Sequence, residues 1–181
     1  TPLLEIVSYP DLSSAEDVVN YMSSLRQTLM YIDVCDGNMQ EGSLRADVNL
    51  SIRKPGGELG TRCEIKNLNS FKFIRQAIEF EFQRQIEVLE SGGTVEQNTM
   101  LFDTSTGETR PMRSKEFSHD YRYFPDPDLL PLVLEQSFVD KIKNSLPEMP
   151  DEKKIRLMND FDLSSYDASI VVSDRDISEY Y

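Results

Sequence analysis

Residues 44 to 53 alternate strictly between apolar and polar side chains, and no other stretch constrains the fold as tightly. Leu44, Ala46, Val48, Leu50 and Ile52 fall on one face; Arg45, Asp47, Asn49, Ser51 and Arg53 fall on the other. Successive side chains of a strand point to opposite faces, so this is a strand with one buried and one wet face. Pro55-Gly56-Gly57-Glu58-Leu59-Gly60 reads as a hairpin loop. Residues 61 to 66 return as a second strand, with Cys63 and Ile65 inward and Arg62, Glu64 and Lys66 outward.

The segments around this hairpin predict helices and a second hairpin. Residues 3 to 8 read as a strand, ended by the turn at Tyr9-Pro10-Asp11. Ser13 followed by Glu16 is a capping box. Val18, Met22, Leu25, Leu29 and Ile32 then recur at helical spacing to about residue 33. Asn69 or Ser70 caps a helix from Phe71 to about Glu90, with Ile74, Ala77, Ile78, Phe82, Ile86 and Leu89 toward the core. Gly92-Gly93 ends it. Residues 99 to 103 and 108 to 113 flank the turn Thr104-Ser105-Thr106-Gly107, and Tyr121-Arg122-Tyr123-Phe124 reads as extended. Prolines then accumulate, which places a domain boundary between about 125 and 135. Short helices follow near 137–145, 151–160 and 164–172. The expected architecture is α+β: an antiparallel sheet with two long packed helices over residues 1–130, then the beginning of a helical domain over 131–181. Both ends read as cuts in a longer chain, since apolar Leu3-Leu4-Glu5-Ile6-Val7 comes at once and Asp176-Ile177-Ser178 opens a helix.

Composition narrows the function classes. With 39% hydrophobic residues the chain can bury a core, yet it has no apolar run long enough for a membrane helix and no signal-peptide pattern. The net charge of −13 disfavours a general grip on phosphates, so RNA contacts would need a local basic patch or another part of an assembly. Cys35 and Cys63 lack companions at zinc spacing, and scattered cysteines without a secretory start point to a cytosolic-type compartment.

The polar sheet face is where chemistry could sit. Asp47 lies between Arg45 and Asn49, and the returning strand offers Arg62, Glu64 and Lys66; Glu5 lies on the first segment. Gathered carboxylates suit Mg²⁺, which takes oxygen ligands, and interspersed Arg and Lys suit phosphate. The same pattern also describes a solvated sheet face with cross-strand charge pairs, the commoner outcome. His119, Tyr121 and Tyr123 offer a proton carrier and stacking rings, or ordinary loop and packing residues. No phosphate-binding glycine loop, HExxH or nucleophile elbow is present.

Four blocks carry a family resemblance: Thr1-Pro2-Leu3-Leu4-Glu5-Ile6-Val7-Ser8, Gly42-Ser43-Leu44-Arg45-Ala46-Asp47-Val48-Asn49, Glu64-Ile65-Lys66-Asn67-Leu68-Asn69-Ser70, and Asp120-Tyr121-Arg122-Tyr123-Phe124-Pro125-Asp126-Pro127-Asp128. In this order they closely resemble the B subunits of the aspartyl/glutamyl-tRNA amidotransferases. The resemblance implies an ATP- and Mg²⁺-dependent ligase subunit. Such a subunit phosphorylates the side-chain carboxylate of misacylated Glu-tRNA(Gln) or Asp-tRNA(Asn). An amidase subunit supplies ammonia from glutamine through a channel, and a small third subunit joins the two. It implies metal ligation by Glu5 and Asp47, with Arg45, Glu64 and Lys66 as supporting residues chosen by their sheet face; Arg45 and Lys66 would hold phosphate. A bacterial cytoplasm or an organellar matrix is the implied home. The other reading is a scaffold and channel segment that binds the amidase. The chain departs from the family at Tyr9, Gln40, Asn98 and Met100, where acids or a basic residue usually stand. Other metal ligands and the tRNA-gripping tail fall outside these residues, so the chain alone is expected to be inactive.

Overall fold

The structure is a computed structural model that describes residues 3–112 and 127–181. His119 and the segment 121–124 lie outside the described residues. Those described divide into two compact units, residues 3–26 with 37–112, and residues 27–36 with 127–181.

The first unit is a four-stranded sheet covered on one face by helices. Its elements are the first turns of α1 (Ala15–Tyr31), β1 (Ala46–Leu50), β2 (Cys63–Leu68), α2 (Phe71–Glu90), β3 (Thr99–Asp103) and β4 (Glu108–Pro111). The strands run in sheet order β1-β2-β3-β4. β1 pairs antiparallel with β2, and β3 with β4, as the two hairpin signals predict. β2 and β3 are parallel, a departure from an all-antiparallel sheet. Parallel neighbours need a long crossover, and the 20-residue α2 between them is that crossover. The α+β class stands.

Alternation survives in the burial. Ala46, Val48 and Leu50 pack on the core while Asp47 and Asn49 are exposed; Cys63, Ile65, Met100 and Phe102 are buried from the neighbouring strands. Ile74, Ala77 and Ile78 of α2 and Met22 of α1 complete this core. Gly60 permits the approach of the β1–β2 connection, since a Cβ there would collide with the carbonyl oxygen of Ile52.

Three local expectations are corrected. Residues 3–8 form no strand; Leu3, Leu4 and Val7 are each more than three-quarters exposed, and no backbone among the described residues pairs with them as a strand. The cap of α1 sits one residue later than the Ser13–Glu16 pattern: Ser14 Oγ accepts from the Asp17 amide, and Asp17 in turn accepts from the Ser13 amide and hydroxyl. The buried line of α2 continues from Ile78 to Glu81 and Gln85, which leaves Phe82 and Leu89 about half exposed.

The second unit holds the end of α1 with α3 (Gln136–Ser145), α4 (Pro150–Phe161), α5 (Ser165–Val172) and α6 (Arg175–Tyr180). Leu157, Ala168 and Val172 form its small apolar core. Tyr31 is buried beside it: its hydroxyl donates to the Val172 carbonyl at 2.6 Å and meets Ser178 Oγ at 3.1 Å. Burial pushes the Tyr31 phenol above its ordinary value. Tyr31→Phe is expected to cost about 1 kcal/mol of stability in a urea titration, because Gln27 still donates to the Val172 carbonyl and only the hydroxyl's own bonds are lost.

Candidate functional site on the open sheet face

The face of the sheet away from α2 collects the charges expected of it. Asn49 of β1 stands directly opposite Glu64 of β2, and Glu64 stands beside Thr99 of β3. Lys66 Nζ lies 2.9 Å from Asp47 Oδ2 and 3.0 Å from Glu64 Oε1, so one ammonium bridges two carboxylates. Thr99 Oγ1 donates to the other Glu64 oxygen at 3.2 Å. The hydrogen bond to Asp47 is the main reason the Lys66 ammonium titrates above its ordinary value; Glu64 adds to it, and burial works against it. The three side chains are between 34 and 51% exposed, so water and a ligand can both reach them.

The other expected residues stand differently. Arg45 is exposed just ahead of β1 and forms no ion pair among the described residues. Glu5 is exposed in the irregular segment before α1. Among the described residues no group of three or more His, Cys, Asp or Glu side chains stands ready to hold a metal ion. The donor chemistry still suits Mg²⁺ in its usual mode, in which one or two carboxylates bind and waters and phosphates fill the remaining positions. Asp47 supplies such oxygens, and the cation it shares with Glu64 in this structure is the Lys66 ammonium.

A second polar cluster was not expected from the sequence. Glu81 is fully buried and accepts four hydrogen bonds: from Arg84 Nη2 at 2.6 Å, Arg84 Nε at 2.9 Å, Gln85 Nε2 at 2.9 Å and Thr109 Oγ1 at 2.7 Å. Gln85 Nε2 also donates to the Leu50 carbonyl at 3.3 Å, and Arg84 Nη2 reaches Cys63 Sγ at 3.7 Å. Burial raises the Glu81 pKa, but these donors outweigh it and hold the carboxyl below the usual range. Burial pushes the Cys63 thiol up, so Cys63 is an inert core residue. The cluster ties α2 to β1, β2 and β4 from the side opposite Lys66. Its sequence signal was the spacing itself: Ile74, Ala77, Ile78, Glu81 and Gln85 follow one helical stripe.

These features define an α+β domain with one helix-covered face and one open face built around a bridged pair of carboxylates. The family model described as the GatB/GatE catalytic domain matches residues 1–140. The chain belongs to that family. It is 61% identical over 179 residues to the B subunit of an aspartyl/glutamyl-tRNA(Asn/Gln) amidotransferase from Azorhizobium caulinodans, and equally to one from a Bradyrhizobium strain. It is 60% identical to the protein of the same name from Rhodopseudomonas palustris. Each match covers 99% of this chain and 36% of the relative, so the chain spans about a third of the length of these curated relatives. No described helix is long and apolar enough to cross a membrane.

Proposed function

We propose that this chain is part of the ATP-using subunit of a tRNA-dependent amidotransferase and that its open sheet face takes part in phosphorylating an acyl side chain on tRNA. The observation that carries this reading is the Lys66 ammonium held between Asp47 and Glu64. A carboxylate is a poor electrophile. Its oxygen attacks the γ-phosphorus of ATP, ADP leaves, and an acyl phosphate forms. Ammonia then adds to the acyl carbon, loses a proton and expels phosphate, leaving the amide of Gln-tRNA or Asn-tRNA.

Each residue has a role in this scheme. Asp47 and Glu5 would hold Mg²⁺ through carboxylate oxygens. The ion, when bound, neutralises charge on the phosphates as the γ-phosphoryl group moves. Arg45 and Lys66 offer cations to phosphate oxygens. Glu64 fixes Lys66 and is itself fixed by Thr99. The relatives are named as one lettered subunit of Asn/Gln amidotransferases, which supports partners for this chain: an amidase subunit, a small third subunit and misacylated tRNA. A bacterial cytoplasm or an organellar matrix suits that work.

The test uses the full-length subunit with its partners, misacylated Glu-tRNA(Gln) and γ-labelled ATP, without an ammonia donor. Asp47→Asn is expected to lower label transfer roughly 100-fold while glutaminase activity persists. Unchanged transfer would move the ATP site elsewhere and leave this face as scaffold and channel wall.

A further inference from the structure

We infer that Asn67 is the positioning residue of this face, because its left-handed backbone creates the bulge in β2 that sets Lys66 between Asp47 and Glu64. This rests on the reading of the face as a phosphoryl-transfer site.

The bulge is visible in the register. Ala46 pairs with Leu68, but Val48 pairs with Ile65, so Asp47 alone faces both Lys66 and Asn67. One extra residue on one strand bends it and re-aims a side chain. It also resets the alternation. Cys63 and Ile65 point inward and Glu64 and Lys66 outward; unbroken alternation would then turn Asn67 inward and Leu68 outward. Instead Asn67 is exposed and Leu68 is buried. The strand thus keeps Leu68 in the core while its outward pair of charges stays opposite β1.

Asn67 suits this place for two reasons. Its φ is +69°, a region that Asn adopts far more readily than most residues and that β-branched side chains resist. Its side chain adds a tie, since Asn67 Nδ2 donates to the Phe102 carbonyl of β3 at 2.9 Å. That bond anchors the bulge to the neighbouring strand, next to the last β2–β3 pair, Lys66 with Leu101. Two bonds to β3, Glu64 with the Thr99 hydroxyl at one end and Asn67 with the Phe102 carbonyl at the other, therefore fix the stretch of β2 that carries the charges. Sparsely populated backbone states persist where the surroundings over-determine them, and they concentrate at functional sites.

The experiment compares Asn67→Val, Asn67→Gly, Asn67→Asp and Lys66→Ala in the full-length subunit with its partners. Label transfer from γ-labelled ATP to misacylated tRNA is measured alongside thermal melting and a crystal structure of each variant. Asn67→Val is expected to lose about 100-fold in kcat with KM for ATP within about twofold, since a side chain misplaced by an ångström costs that much. In its structure Lys66 should no longer meet both carboxylates. Asn67→Gly keeps the backbone conformation and should recover to within about fivefold of the wild type. Asn67→Asp keeps the left-handed preference, cannot donate to Phe102 and also sets a carboxylate against that carbonyl oxygen, so it is expected to lose about tenfold, more than the glycine variant, which only deletes the bond. A folded Asn67→Val with Lys66 still bridging and full kcat overturns the inference; so does a folded Asn67→Gly that loses about 100-fold in kcat, an outcome that decides the matter if the valine variant does not fold. Wild-type label transfer by Lys66→Ala overturns the phosphoryl reading of the face itself, and is thereby distinguished from a failure of Asn67 alone.

Discussion

Glu81→Ala is expected to destabilise the first unit by about 3 kcal/mol in denaturant unfolding, because it strands the donors of Arg84, Gln85 and Thr109 around an emptied site. Arg84 is partly exposed and can turn to water, which keeps the loss below that of a wholly buried pair. Gln85 fares worse. It is fully buried, and its Oε1 already lacks a partner among the described residues, so losing the Glu81 acceptor leaves it only the Leu50 carbonyl. Glu81→Gln keeps the shape but brings an amide against Arg84, and should fall between wild type and alanine. The acid dependence follows from the depressed Glu81 pKa. A carboxyl whose folded pKa lies below its unfolded value stabilises the fold above that unfolded value, near 4.5, and the contribution is lost as pH falls through the folded pKa. The stability gap between wild type and Glu81→Gln should therefore be full at neutral pH and shrink below about pH 4.5. A gap independent of pH would show that Glu81 is not ionised in the folded protein.

The other large effect falls on Phe102. It is fully buried in β3, with its ring centroid 5.8 Å from that of Phe73 of α2. Phe102→Ala is expected to cost about 4 kcal/mol, the transfer of a phenyl ring plus the cavity it leaves. Phe102→Leu refills most of the volume and should cost about 1.5 kcal/mol. Both are read from urea midpoints. The Phe102 backbone carbonyl survives either change, so the Asn67 bond to it remains possible. A Phe102→Leu protein should therefore keep its open face while melting lower. Equal losses from alanine and leucine would mean that the ring's shape, rather than its volume, holds the helix on the sheet.

The face that gathers Asp47, Glu64 and Lys66 was legible in the sequence because a strand's period is two. Alternation over residues 44 to 53 assigns Asp47 to the wet face, and the hairpin signal brings Glu64 and Lys66 back along it. The bulge was not legible. A residue that alternates correctly in sequence can still break parity in the strand, and only the pairing of Ala46 with Leu68 and Val48 with Ile65 shows it. The strand expected at residues 3 to 8 failed for a related reason: Leu3, Ile6 and Val7 have strand-like composition, but a strand exists only where another backbone pairs with it.

The sequence by itself determined the elements with local causes. Ser70 caps α2 with a bond that spans three residues. Gly92, at a φ of +81°, follows its end. The β3–β4 hairpin is closed by the short turn at residues 104–107, and the four blocks that carry the family resemblance lie in the chain regardless of how it folds. The tertiary structure alone decided what depends on residues distant in sequence. The direction of β3 beside β2 depends on how α2 crosses the sheet, and the burial of Glu81 depends on Thr109, 28 residues away. A carboxylate on a helical stripe reads as a surface residue until donors from another strand offset its desolvation. Local bonding and periodicity are written along the chain; the balance between burying a polar group and satisfying it is settled only when the strands and helices meet.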